Sequence, residues 1–126
     1  MQKSYRGAQR AYEAFRRYAR LGLDRRRMTV FQAYDCIRGV CRDEQDARDM
    51  LAVYDTLRLL TASDKQECID AVRTVYFCGA GRRPRRNDVS YRVRRLAYDS
   101  NCDERTVYRR LRYAARLYGV VWQNEV

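Results

Sequence analysis

The sequence predicts an all-α fold, a bundle of helices built as one compact unit or as two small halves sharing a core. Three observations carry this. Apolar residues recur at spacings of three and four along nearly the whole chain, the period of a helix with one buried face. One proline and six glycines among 126 residues leave few helix breakers. No alternating apolar/polar run of useful length occurs, and no hairpin turn chemistry. With 46% hydrophobic residues the chain can bury a core.

The first helix follows from Tyr5, Ala8, Tyr12, Phe15 and Ala19, with Arg6, Arg10, Arg16, Arg17 and Arg20 on its remaining faces. A second runs from about residue 29 to 41, with Val30, Tyr34, Ile37 and Cys41 on one side. A third covers 43–60 on the stripe Ala47, Met50, Leu51, Tyr54 and Leu57. Asp43, Glu44, Asp46 and Asp49 crowd its start, where the helix dipole is positive; no glycine-containing loop makes them a cation site. Ser63-x-x-Gln66 has the form of a capping box for a fourth helix carrying Ile69, Val72, Val75 and Tyr76. Glu13 with Arg17, and Glu44 with Arg48, stand one helical turn apart, as surface ion pairs do.

Residues 79–86, Gly-Ala-Gly-Arg-Arg-Pro-Arg-Arg, end the fourth helix and form a basic connector. Its Gly-x-Gly follows no strand and has no Lys-Ser/Thr after it, so it is not a phosphate loop. Beyond it, Asn87 is placed to cap a short helix with Val89, Val93, Leu96 and Ala97 inside. A turn follows at Asp99, Ser100 and Asn101, where asparagine tolerates the left-handed backbone. Cys102 is a small apolar plug, and Asp103 caps the helix that begins Glu104-Arg105-Thr106-Val107. The chain therefore divides into an N-terminal helical region (1–78), the connector (79–86) and a C-terminal two-helix region (87–126).

Charge narrows the function. The chain carries 27 Lys+Arg against 16 Asp+Glu, a net +11, and 25 of the cations are arginine. Arginine's planar fork grips phosphates and base edges at two points, which a lysine cannot do. The charge is also segregated: residues 1–27 hold nine cations and two acids, 28–78 six and nine, and 79–118 twelve and four. Segregation of this kind points to a binding surface more than to a general solubility device.

The absence of histidine removes His-based metal sites, general bases and nucleophile pairs, so the chain does not read as an enzyme, and no cofactor is expected. Five cysteines contain no C-x-x-C pair, which fits reduced thiols in a cytoplasmic protein. The longest apolar run, Met50 to Tyr54, is five residues, against roughly 20 for a membrane span. No membrane partner is expected.

On a helical wheel Val107, Leu111, Ala114 and Tyr118 share one face, and Arg105, Arg109, Arg112 and Arg116 share the opposite one. No acid interrupts the arginines. A helix of this kind suits the DNA major groove, with its N-terminal half nearest the bases. Arg105 and Arg109 are then candidates for two-point contacts to guanine, and Thr106 or Tyr108 for a thymine methyl. Arg112 and Arg116, further along, are candidates for phosphates. Arg82, Arg83, Arg85, Arg86, Arg92 and Arg95 are the other candidate phosphate contacts. Tyr91 and Tyr98 face away from the inner stripe, where stacking on unpaired bases competes with plain solvent exposure. Trp122 is expected to pin the chain's end to the core.

The stretch LAYDSNCDERTVYRRL (96–111) resembles the helix-turn-helix pattern LA-x-x-L-G-V-S-E-R-T-V-x-R-x-L. Leu96 and Ala97 match the first helix, Cys102 the apolar turn position, and Val107 and Leu111 the core of the recognition helix. Asp103 replaces the capping serine, Asn101 the turn glycine, and Ser100 a usually apolar residue. With the ending RLYGVVW (116–122), the last 40 residues or so resemble the ArpU/RinA-type phage late-gene regulators, themselves similar to region 4 of sigma factors. The resemblance implies a transcriptional regulator of phage or prophage type that binds double-stranded DNA. Two readings stay beside it: a sigma-like adaptor that meets RNA polymerase through its arginine surface, and an RNA-binding protein. A homodimer reading two half-sites and a single copy acting through polymerase are both compatible with the sequence.

Overall fold

The computed structural model describes residues 2–25, 27–83 and 85–124, with side chains from residue 7 onward except at residue 25. Tyr5, Arg6 and Pro84, which the sequence placed on the first helix or in the connector, therefore lie outside the described side chains. Among the described residues the secondary structure is entirely helical. The order is α1 (Gln2–Arg20), a 3-10 turn (Leu23–Arg25), α2 (Val30–Val40), α3 (Glu44–Ala62) and α4 (Gln66–Val72). The last runs directly into a π-helical turn (Arg73–Phe77), followed by α5 (Asp88–Asp99) and α6 (Glu104–Asn124).

Local signals explain most of the boundaries. Thr29 starts α2 with a complete capping box: its hydroxyl accepts the Gln32 N–H, and the Gln32 side chain accepts the Thr29 N–H. Asp43 starts α3 by accepting the Asp46 N–H at 2.8 Å. Gly79, at φ +73°, ends the π-helical turn in the left-handed region that glycine occupies without penalty.

Two expected caps are absent. Ser63 closes α3 instead of opening α4; its backbone, φ −91° and ψ 6°, is still near-helical and its N–H bonds to the Leu59 carbonyl. α3 runs to Ala62, so the chain reverses through Asp64 in the left-handed region, and α4 begins at Gln66 without a side-chain cap. Asn87 likewise does not cap α5: it sits at φ +71°, and Asp88 accepts the Arg85 N–H at 2.8 Å.

The core is continuous from α1 to α6. α6 lies at its centre and packs against α1, α3, α4 and α5. Val107, Leu111, Ala114 and Tyr118 are buried on α6, as are Ile69, Val72, Val75 and Tyr76 on α4 and the π-helical turn. On α1 the buried line is Ala11, Ala14, Phe15 and Tyr18, rotated from the expected one; Ala8, Tyr12 and Ala19 flank it half-buried. Tyr18, Tyr76 and Tyr118 are buried with their rings, and burial pushes each phenol up.

Candidate nucleic-acid interface

α5 and α6 are joined by residues 100–103. The Ser100 N–H bonds back to the Leu96 carbonyl, Asn101 takes φ +55°, and the Cys102 N–H reaches the Ala97 carbonyl at 3.0 Å. These two bonds satisfy the last carbonyls of α5, while the left-handed residue reverses the chain. Asp103 then receives both the N–H and the hydroxyl of Thr106, at 2.8 and 2.9 Å. The same two bonds hold its carboxyl below the usual range, with Arg105 and Arg109 adding to the effect. Val93, Ala97, Val107 and Leu111 are buried in the core that the pair shares with the bundle.

The side of α6 opposite this core carries Arg105, Arg109, Arg112 and Arg116, all exposed. Among the described residues none of the four is held in an ion pair. They occupy about three turns at spacings of four, three and four, so the line is about 16 Å long. Tyr12 of α1 borders it: burial raises its phenol and the nearby Arg112 guanidinium lowers it. Arg16 of α1 lies over the Tyr76 ring at 5.0 Å, and Tyr12 stacks on Tyr76 at 4.5 Å. Arg16 was not among the expected site residues, because only the packing of α1 against the π-helical turn brings it to this flank.

The remaining site residues divide. Arg82, Arg83, Arg85 and Arg86 are exposed along the connector, and Arg95 is exposed on α5 with a 3.5 Å surface pair to Asp99. Arg92 does not belong with them. Its guanidinium turns inward, donates to the Val75 carbonyl at 3.1 Å and lies against Gly79, so it ties α5 to the π-helical turn. Thr106 spends its hydroxyl on Asp103, and Tyr108 is half-buried on the flank facing Tyr76. Neither stands on the outward line with Arg105 and Arg109. Arg94, which the sequence reading passed over, is exposed on α5.

Several acids are held by structural partners. Arg17 of α1 binds Asp46 at 2.6 Å through two nitrogens, and Asp24 takes Arg73 at 3.1 Å. Arg48 donates to the Trp122 carbonyl and lies 3.6 Å from the centre of its ring, while the indole N–H gives a 2.7 Å bond to Asp49. Trp122 thus fastens the end of α6 to α3. Arg17 and Arg48 are drawn to these partners across the bundle, away from Glu13 and Glu44.

Among the described residues no three His, Cys, Asp or Glu side chains gather as a metal-holding group. A cleft of about 790 Å³ lies between the 3-10 turn, α2, α3 and the end of α6, but its carboxylates Asp24 and Asp55 are engaged by Arg73 and by Tyr34 and Arg58. Burial pushes the Cys41 thiol up to about 11, with Asp46 adding to the shift, and raises Cys68 as well, so neither is primed as a nucleophile. No described helix is long and apolar enough to cross a membrane. Compared with known protein families, curated proteins and solved structures, the chain matches none.

Proposed function

We propose that this chain binds double-stranded DNA through the outward face of α6 and acts as a transcriptional regulator of phage or prophage type. The observation that carries the reading is the line of four exposed arginines, in no ion pair among the described residues, directly opposite the buried stripe of the same helix. A solvated face needs charge but has no reason to use one sign. A groove-binding face does, because the field between two phosphate backbones is uniformly negative.

In this reading α6 enters the major groove with Arg105 and Arg109 reaching guanine edges by two-point hydrogen bonds. Arg112 and Arg116 hold phosphates, as do Arg95 and the connector arginines Arg82, Arg83, Arg85 and Arg86. Trp122 with Arg48 and Asp49 fastens the end of α6 to α3, so the guanidinium groups are presented from a held helix. Selection of bound genomic duplex fragments at physiological salt tests the proposal. Enrichment of a defined sequence is expected. Retention of RNA polymerase without enrichment of any duplex would overturn it in favour of the adaptor, and preference for structured RNA would do so in favour of RNA binding.

A further inference from the structure

We infer that the outward face of α5 is a second nucleic-acid site, separate from the α6 line, that stacks unpaired bases of a single strand. Tyr91 is 60% exposed and Tyr98 85% exposed, unusual for side chains of that size. They stand seven residues apart, two turns of one helix, so both rings project from the same side. Arg94 and Arg95 lie between them and are also exposed. Among the described residues neither ring stacks on another ring or under a cation. The inner side of the same helix is fixed by Val93, Ala97 and the Arg92 bond to the π-helical turn, so the outer side is presented firmly.

The chemistry of this face selects its occupant. It offers planar rings and guanidinium groups, with Arg95 in a 3.5 Å surface pair to the exposed Asp99 and Arg94 in no ion pair among the described residues, and no aliphatic side chain stands among its exposed residues. A protein partner would need an apolar centre to bury, which is missing. A base needs a ring to lie on, and the phosphates between two bases need cations. The rise of a helix sets the two tyrosines about 10 Å apart, a span that a flexible single strand can bridge. One strand can therefore lay a base on each ring while an intervening phosphate faces Arg94. Duplex DNA cannot use the rings, because its bases are already stacked on each other.

The experiment is fluorescence anisotropy of the full chain with a labelled oligothymidine of about twelve nucleotides, beside a labelled duplex and a heparin competitor at one salt concentration. Y91A/Y98A is expected to lose tenfold or more in oligothymidine affinity while duplex affinity changes less than twofold. Y91F/Y98F, which keeps both rings, is expected to bind oligothymidine like the parent. R109A is expected to weaken the duplex alone, so failure of the α6 reading is seen separately from failure of this one. Both tyrosines are exposed, so an unchanged melting temperature verifies that the variants fold. Equal oligothymidine binding by Y91A/Y98A and the parent would overturn the inference. So would a parent that does not bind oligothymidine at all, or one that heparin displaces as easily from it as from the duplex with the rings making no difference; the face would then fall to a protein partner or to charge alone.

Discussion

Arg17 on α1 reaches Asp46 on α3 and holds both of its carboxylate oxygens, each at 2.6 Å. Asp46 is 5% exposed and Arg17 28%, and Asp46 also accepts the Arg42 N–H at 3.1 Å. The Arg17 hydrogen bonds hold the Asp46 carboxyl below its usual range, against the opposing push of burial. A carboxyl depressed in the folded state stabilises the fold above its unfolded value and loses that contribution as pH falls through the folded one. Asp46→Asn is expected to cost about 2–3 kcal/mol near neutral pH, less than a fully buried pair because Arg17 is partly solvated. The difference in stability between parent and variant should shrink below the ordinary carboxylate range. Urea melts at several pH values measure it, and a difference that grows on acidification would contradict this role.

Gly79 and Arg92 form the second joint. A Cβ on Gly79 would lie 2.5 Å from the Arg92 guanidinium, and its φ of +73° strains any side chain. Gly79→Ala is expected to destabilise the fold by about 1–2 kcal/mol by combining that strain with displacement of Arg92 from the Val75 carbonyl. Arg92→Ala should lower the melting temperature, whereas Arg85→Ala, on the exposed connector, should leave it unchanged. Equal melting temperatures for the two arginine variants would show that Arg92 has no such role.

The turn before α6 places Asn101 at φ +55°. Asn101→Gly should be neutral or slightly stabilising, while Asn101→Val should cost about 1–2 kcal/mol, the penalty of a branched residue in left-handed backbone. Chemical denaturation of the three proteins decides it; a valine variant as stable as the parent would mean that the turn takes another shape.

Base reading and phosphate holding separate in binding data. Arg109→Ala is expected to weaken a selected sequence by about 1–3 kcal/mol and random duplex far less. Arg85→Ala is expected to weaken both alike. The same loss pattern from the two substitutions would remove the base-reading assignment.

Much of the fold was legible because its signals are local. The burial of Val107, Leu111, Ala114 and Tyr118, the cap at Asp103 and the left-handed Asn101 each follow from a few neighbouring residues. The exposure of Arg105, Arg109, Arg112 and Arg116 is the other half of the same periodicity. What was illegible depends on distant partners. The inward turn of Arg92 needs the Val75 carbonyl, 17 residues away, and the seating of Trp122 needs Arg48 and Asp49 on α3. The rotation of the α1 stripe, to Ala11, Ala14, Phe15 and Tyr18, is set by the other helices of the core and not by α1 alone. Ser63-x-x-Gln66 misled because the two-position pattern is met by chance where a helix ends, and only the backbone at Ser63 reveals which helix it serves.

The most direct measurement is duplex affinity across a range of salt concentrations, for the parent and for R112A/R116A. With the seven phosphate-holding arginines engaged, log K against log salt should fall with a slope of about −6, and removing two of the cations should bring it to about −4.5. A flat response in the parent, or one unmoved by the double substitution, would contradict the placement of α6 against a nucleic-acid backbone.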